Sequence, residues 1–113
     1  MISLLFNEGK SFSHFPLRVL YVTSTGDADN LRVAFSVSSR NFKKAVDRNR
    51  IKRLMRESYR LQKNALQEAL SEKQTNISLF IIYTDKKIPS FEEIKEKMNG
   101  ALLHLINIFS EVN

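Results

Sequence analysis

The sequence predicts a single α+β domain in which helices pack on a mixed β-sheet. Two strand-like segments rich in β-branched and aromatic residues precede a long amphipathic helix, and an almost continuously apolar strand follows that helix. A long helix between two strands of one sheet is typical of an α/β sandwich with strands of mixed direction. At 113 residues the chain fits one domain, residues 1–113, with a modest core.

The predicted elements follow the order αββαβα. Residues 1–8 carry apolar side chains at helical spacing and precede Gly9, which indicates the last turns of a helix. Residues 17–23 and 31–38, with a turn-rich segment between them, predict an antiparallel hairpin. A short extra strand near residues 11–14 would make the sheet four-stranded.

The second half of the chain predicts helix, strand and helix. The long helix runs from about Lys44 to about Leu70, and residues 76–83 (NISLFIIY) are typical of a strand that is buried on both faces. Ser90 and Glu93 form a capping box that begins the last helix. The apolar positions of this helix are Ile94, Met98, Leu102, Leu105, Ile106 and Phe109.

The positive charge of the chain is concentrated in one segment. The net charge is +6, yet residues 40–63 alone carry ten Lys or Arg and two acids, and the remainder is slightly acidic. A focused positive field usually marks a polyanion as partner. A merely solvated helix face would interleave Glu with Lys, and the scarcity of acids here favours the polyanion.

The long helix has two chemically distinct faces when it is drawn at 100° per residue. One face is apolar and is predicted to pack on the sheet: Leu54, Leu61, Ala65, Ser58, Ile51 and Met55. The opposite face, which we call the basic stripe, consists of Lys52, Lys63, Arg56, Asn49, Arg60 and Arg53. Glu57 lies on its flank, within reach of Arg50 and Arg53, and is expected to orient Arg53.

The chemistry of the basic stripe favours RNA. Arg binds phosphate through a bidentate fork, and each neutralised phosphate releases counterions. A membrane-surface helix would need a free apolar face, which is here committed to the core. A helix that reads DNA presents varied side chains to base edges, whereas this stripe is almost purely cationic and suits phosphates and folded RNA.

The sequence lacks the features of membrane, disulfide-bonded, metal-dependent and Gly-loop nucleotide-binding proteins. The chain has no Cys, no apolar run of membrane-spanning length and no signal peptide, which predicts a soluble, cytoplasmic protein. His14 and His104 lie in no metal-ligand spacing, the carboxylates form no ligand cluster, and no phosphate-binding Gly-rich loop occurs. We therefore expect no catalytic residue and no metal site on this chain.

The segment AVDRNRIKRLMRESYR resembles the signature helix of the bacterial ribonuclease P protein subunit. Its RNR motif corresponds to Arg48, Asn49 and Arg50, followed by Lys52, Arg53 and Arg56. The segments LLFNEGKSF, LRVLYV and RVAFSVSSRNFKKAV are similar to the end of the family's first helix, to its aromatic strand and to the strand and loop before the motif. The resemblance spans residues 1 to about 85, and the last helix agrees in kind.

The resemblance implies a role in tRNA processing. The protein would bind a large catalytic RNA and precursor tRNA within a ribonucleoprotein endoribonuclease that removes the 5′ leader. The RNA, rather than this chain, would hold the catalytic Mg²⁺ ions. The protein alone would be monomeric, with no membrane partner. Two alternatives stay open at this stage: a ribosomal-type RNA-binding protein without a role in cleavage, and a protein-only nuclease, which the missing ligand cluster disfavours.

The resemblance also divides the site residues between two RNA surfaces. The residues implied for the catalytic RNA are Arg48, Asn49, Arg50, Arg53, Arg56 and Arg60. The residues implied for a leader-binding cleft between sheet and helices are Phe6, Tyr21, Ser36, Arg48 and Lys52. On composition alone, core packing is the favoured interpretation for Phe6 and Tyr21, and a plain solvated strand position is an equal alternative for Ser36.

Two departures from the family pattern concern the first helix. The family usually has a basic segment and more of this helix before LLFNEG, so the start at Met1 suggests a shortened chain or a misassigned start. Ile2 stands where the family often carries a further leader-stacking aromatic residue, which predicts weaker leader affinity. The resemblance also implies a left-handed βαβ crossover, an exception to the usual right-handed rule.

Overall fold

We describe the protein from a computed structural model that covers residues 10–24, 31–72 and 75–111. The predicted first helix, with Ile2, Phe6 and Gly9, lies outside these described residues. The described elements are β1 (Lys10–His14), β2 (Leu17–Ser24), β3 (Leu31–Val37), α1 (Ala45–Gln62), α2 (Asn64–Glu72), β4 (Asn76–Tyr83) and α3 (Phe91–Glu111).

The four strands form one mixed sheet in the order β1-β2-β4-β3. β1 and β2 are antiparallel and meet at the Phe15–Pro16 turn, whose peptide bond is cis. β2 is antiparallel to β4, whereas β3 is parallel to β4. The mixed α+β architecture is therefore confirmed, and the short extra strand near residues 11–14 is present as β1. α1 and α2 connect β3 to β4, and the hand of this crossover stays a prediction.

The predicted hairpin between β2 and β3 is wrong, because β4 lies between them. β4 is the most apolar strand, and Ile77, Leu79, Ile81 and Tyr83 are each at most 2% exposed. A central position gives such a strand hydrogen-bond partners on both edges and keeps its apolar side chains away from water. Strand-like composition identifies β2 and β3 as strands, but it contains no signal for which strand lies beside them.

The predicted single helix of residues 44–70 is divided at Lys63 into α1 and α2. Lys63 keeps right-handed helical dihedral angles, φ −72° and ψ −18°. The Gln62 side chain donates one hydrogen bond to the Ser58 carbonyl at 3.0 Å and another to the Lys95 carbonyl at 3.1 Å. The end of α1 is thereby attached to α3. The segment contains no Gly or Pro, so the division has no breaker in the sequence.

The helices pack on one face of the sheet, and the core lies between them. β2 contributes Leu17, Val19 and Tyr21, and β4 contributes its four buried side chains. The helices contribute Ile51, Met55, Tyr59, Leu66, Leu70, Ile94, Met98, Ala101, Leu102 and Leu105. Tyr83 donates a hydrogen bond to the Lys87 carbonyl at 2.8 Å, and burial raises its pKa to about 12.

The inward face of α1 differs in part from the predicted face. Ile51, Met55 and Ser58 are buried as expected, but Leu61 is 50% exposed and Ala65 is also exposed. Tyr59, which is 5% exposed, is buried in their place. Its ring meets the Phe35 ring of β3 edge to face, with centroids 5.6 Å apart. The rotation of a helix over a sheet depends on such contacts, which helical periodicity alone does not specify.

The capping box at the start of α3 is confirmed. The Glu93 backbone N–H donates to Ser90 Oγ at 3.2 Å, and Ser90 Oγ also lies 3.2 Å from Glu93 Oε1. The inward positions Ile94, Met98, Leu102 and Leu105 are buried. None of the helices in the described ranges has the length and apolar character needed to cross a membrane.

Both histidines lie where β1 packs against α3. The Phe12 and His104 rings are stacked, with centroids 4.0 Å apart and planes inclined by 4°. One helical turn earlier, His14 packs directly against Gly100, where a Cβ atom would overlap its imidazole ring. Gly100 therefore leaves room for the His14 imidazole against α3.

Candidate nucleic-acid interface

The basic stripe lies on the solvent side of α1, because Ile51, Met55 and Tyr59 hold the other side against the sheet. Its exposed members are Asn49, Arg53, Arg56 and Arg60, and its half-buried members are Lys52 and Lys63. Arg50 of the RNR motif is also exposed, on the flank of the stripe. In the described part of the chain, neither Arg53 nor Arg56 pairs with a carboxylate. These two guanidinium groups are available to phosphate.

Glu57 pairs with Arg60 rather than with Arg53, so the expectation that it orients Arg53 is wrong. Arg60 Nη2 lies 2.6 Å from Glu57 Oε1, and Arg60 Nε lies 3.3 Å from Oε2. The hydrogen bonds from Arg60 lower the pKa of Glu57, and the same contacts raise the pKa of Arg60. One member of the basic stripe is therefore partly neutralised by a neighbouring acid.

Arg48 contacts the loop that leads into α1. Its Nη1 donates hydrogen bonds of 2.8 Å to the carbonyls of Phe42 and Lys43. Phe42 is 6% exposed and its ring packs near Tyr83, so this contact attaches the start of α1 to the core. The helix has no side-chain cap at Lys44, its N-cap residue. Arg48 thus has a structural contact in addition to any contact with RNA.

A groove of about 520 Å³ separates β3 from the basic stripe. β3 contributes Val33, Ala34 and Phe35 to its walls. α1 and the residue that follows it contribute Arg53, Arg56, Glu57, Tyr59, Arg60 and Lys63. The groove therefore combines apolar and aromatic surface with four cations. The sequence did not indicate it, because it depends on the placement of β3 at the edge of the sheet.

The structure separates two of the residues implied for the leader cleft, Tyr21 and Ser36. Tyr21 pairs with Leu79 of β4, whereas Ser36 pairs with Ile82 of the same strand. Leu79 and Ile82 are three residues apart, so their side chains point to opposite faces of the sheet. Tyr21 and Ser36 therefore lie on opposite faces of the sheet. Tyr21 is 7% exposed in the core, its ring is 6.2 Å from that of Phe12, and burial raises its pKa.

The other implied leader residues that the structure describes lie on two elements, β3 and α1. Ser36 is half-buried on the face away from the helices, while Lys52 is half-buried on α1. Phe6 lies outside the described residues. Arg48 is attached to the loop before α1.

One aromatic residue that the sequence did not single out shares the face of Ser36. Phe80 is opposite Ala34 and Leu20, so it lies on the side of the sheet away from the helices, and it is half-buried. Arg32 is exposed on the same face, opposite Ser78. The alternation of residues 76–83 could have predicted this position, but a nearly continuous apolar run conceals which side chains face the helices.

The described residues contain no group of three or more His, Cys, Asp or Glu side chains that could hold a metal ion. His14 packs against Gly100 of α3, and His104 stacks on Phe12 of β1.

Comparison with known proteins identifies relatives along almost the whole chain. A family model described as "Ribonuclease P" matches residues 2–106. The ribonuclease P protein component of Porphyromonas gingivalis is 36% identical over 105 residues, which cover 92% of this chain and 77% of that protein. The corresponding protein of Chlorobium phaeobacteroides is 34% identical over 119 residues, and the match covers 96% of this chain and 81% of that protein.

A solved structure supports the fold independently of close sequence similarity. The ribonuclease P protein of Staphylococcus aureus has a TM-score of 0.70 and 22% identity, and the match covers 96% of this chain and 90% of that one. The matched fold, the relatives and the family model agree. The chain belongs to the ribonuclease P protein family, the protein component of a ribonucleoprotein endoribonuclease that acts in tRNA 5′ processing.

Proposed function

We propose that this chain binds the catalytic RNA of ribonuclease P through the basic stripe of α1. The observation that supports this most strongly is the position of Arg53 and Arg56, which are exposed and have no carboxylate partner in the described residues. Like charges at helical spacing are mildly unfavourable in the protein alone. Phosphates would reverse that effect, because each one neutralised releases counterions.

The RNR motif and its neighbours divide the work on this surface. Arg53, Arg56 and Arg60 bind phosphates, and Asn49 and Arg50 extend the surface toward the start of α1. Arg48, the first residue of the motif, positions the loop and the first turn through its two backbone contacts and adds its positive charge to the surface. Arg is suited to this role because its planar guanidinium keeps its charge and binds phosphate in two directions.

The second surface binds the 5′ leader of precursor tRNA. The face of the sheet that carries Ser36 is the better candidate, since half-buried Phe80 and exposed Arg32 lie on it. An aromatic ring beside a cation can bind single-stranded RNA by stacking and by phosphate contact. Phe6, Tyr21, Arg48 and Lys52 remain part of the proposed leader site, and Tyr21 would need to act from a buried position.

The chemistry of leader removal belongs to the RNA in this proposal. Mg²⁺ ions held by the catalytic RNA would supply the chemistry, which is activation of water and stabilisation of the leaving oxygen. The described part of this chain lacks a cluster of metal ligands, so its contribution is electrostatic and positional.

The proposal includes a cytoplasmic, monomeric protein that meets precursor tRNA as its substrate. The edge of β3 that no described strand covers faces the cations of the groove, and charge at an edge strand disfavours edge-to-edge pairing with a second copy. Sedimentation of the protein without RNA should give the mass of one chain. A dimer that persists at low protein concentration would contradict this part of the proposal.

The deciding experiment reconstitutes the protein with a bacterial ribonuclease P RNA. Release of the 5′ leader from precursor tRNA is measured at low Mg²⁺, with and without the protein. We expect the protein to raise the rate substantially, because its cations reduce the Mg²⁺ needed to offset phosphate repulsion. No gain over the RNA alone would favour an RNA-binding protein without a role in cleavage. Cleavage by the protein without RNA would favour a protein-only nuclease.

A further inference from the structure

We propose that the groove between β3 and the basic stripe binds one unstacked nucleotide of an RNA strand, with its base against the edge of β3 and its phosphate among the cations. This inference rests on the proposed function and adds to it a site for an unpaired nucleotide. The groove volume of about 520 Å³ is within the usual range for small-molecule pockets.

The strand side of the groove offers unused backbone groups. Among the described strands, β3 pairs with β4 alone. Alternate residues of an edge strand direct their N–H and C=O groups away from the sheet. Val33, Ala34 and Phe35 bring this edge to the groove wall. Adjacent donors and acceptors match the edge of a nucleobase, which carries both.

The floor of the groove contains an aromatic pair with an unsatisfied hydroxyl. The Phe35 and Tyr59 rings meet at 5.6 Å with an interplanar angle of 70°. Tyr59 is 5% exposed, and its hydroxyl is enclosed without a hydrogen-bond partner among the described residues. Buried polar groups are nearly always paired, so this atom calls for an explanation. Burial raises the pKa of Tyr59, so the hydroxyl keeps its proton, and a small displacement of the groove wall on binding would let it donate to a ligand.

The charge of the groove selects a phosphate-bearing occupant. Arg53, Arg56, Arg60 and Lys63 line it, against a single acid, Glu57, which is already paired with Arg60. An extended acidic peptide could also add to a strand edge. A nucleotide fits better because the stripe that bears the cations continues along α1, where a bound RNA strand would present its next nucleotide to the groove.

The test uses the full chain with three RNA probes. These are a single-stranded hexamer of uridine, a single-stranded hexamer of adenosine and a duplex of similar charge. NMR follows the backbone amides of Val33, Ala34 and Phe35. We expect both single strands to shift these amides and the duplex to shift only residues of the stripe. Equal shifts with duplex and single strands, or no shift at β3, would overturn the inference.

Two variants make the test specific. Tyr59→Phe removes the hydroxyl alone, and we expect it to weaken single-strand binding about fivefold with little change in duplex binding. Lys63→Ala should weaken single-strand binding more than the matched Lys95→Ala, whose site is exposed on α3. If Tyr59→Phe leaves the affinity for both single strands unchanged, the hydroxyl has no role in binding and the inference fails.

Two further controls separate the alternatives. A polyglutamate peptide that shifts the β3 amides as strongly as the RNA would replace the nucleotide with an acidic peptide as occupant. Leader removal in the reconstituted enzyme is measured in parallel with Tyr59→Phe. Stimulation of cleavage by the unchanged protein without any single-strand shift at β3 refutes the groove site and leaves the proposed function intact. Binding of single strands in the groove without stimulation of cleavage supports the groove site and contradicts the proposed function.

Discussion

Arg60 donates two hydrogen bonds to Glu57, at 2.6 Å from Nη2 and at 3.3 Å from Nε, one helical turn away on the solvent side of α1. Both side chains are well exposed, at 63% and 48%. The pair therefore restrains a cation of the basic stripe without contributing greatly to stability, since exposed ion pairs are weak. Its main effect is to reduce the positive charge that the basic stripe presents to RNA.

Glu57→Gln is expected to tighten binding to the catalytic RNA. The change removes the acid beside the stripe and frees Arg60 for phosphate, so the salt dependence of binding should steepen by up to about one unit of log K per log[salt]. Filter binding across a salt series measures both quantities. Glu96→Gln on α3 is the matched control with the same change of charge. An equal increase in affinity for both variants would mean that net charge alone is responsible.

Arg56→Ala is expected to weaken binding to the catalytic RNA and to reduce the salt slope by about one unit, because one phosphate contact is lost. Lys95→Ala removes the same charge from an exposed site on α3 and should leave the slope nearly unchanged. An unchanged slope for Arg56→Ala would contradict a direct phosphate contact.

Tyr21→Ala is expected to lower the free energy of unfolding by about 3–5 kcal/mol, since it removes a buried aromatic side chain. Urea denaturation measures this loss. The leader proposal further requires that Tyr21→Leu, which keeps much of the packing, reduce affinity for precursor tRNA over mature tRNA by about 1–3 kcal/mol. Equal affinity changes for the two tRNAs would assign Tyr21 to the core alone.

Gly100→Ala is expected to destabilise the protein although Ala favours helices by about 1 kcal/mol over Gly. The added methyl group would overlap the His14 imidazole, which would have to leave its packed position against α3. The double variant His14→Ala/Gly100→Ala should recover the loss, because it removes the side chain that clashes. Thermal unfolding of the two single variants and the double variant gives the coupling. Additive effects would show that His14 and Gly100 do not interact.

The stability of the protein is expected to fall in alkaline solution. Burial raises the pKa of Tyr83 to about 12 from its ordinary value of 10.0, so the folded state favours the protonated phenol. This contribution is fully present below about pH 10 and is lost as the pH rises through 12. Denaturation at a series of pH values measures the decline. Tyr83→Phe should flatten it, and an unchanged pH dependence would attribute the decline to other groups.

The sequence predicted local features well and non-local features poorly. The capping box of Ser90 and Glu93 depends on four consecutive residues, so it could be predicted and is confirmed. The neighbour of β3 depends on pairing across the chain, and the predicted hairpin was wrong for that reason.

Within the candidate site, the same distinction holds. The solvent side of α1 followed from periodicity, and Arg53, Arg56 and Arg60 are exposed as expected. Periodicity could not decide whether Glu57 would pair with Arg53 or with Arg60, because both lie within reach on a helix. Nor could it predict that Tyr59, rather than Leu61, would pack against Phe35.

The position of β4 also determines when the protein can fold during synthesis. β2 and β3 both leave the ribosome before residues 76–83, yet each needs β4 as its neighbour in the sheet. The surface on which α1 packs is therefore incomplete until the strand that follows the helix has been made. For that interval the nascent chain carries its entire cationic segment without the sheet, close to ribosomal RNA. We expect shortened chains that end before residue 76 to remain unfolded and to bind RNA without selectivity.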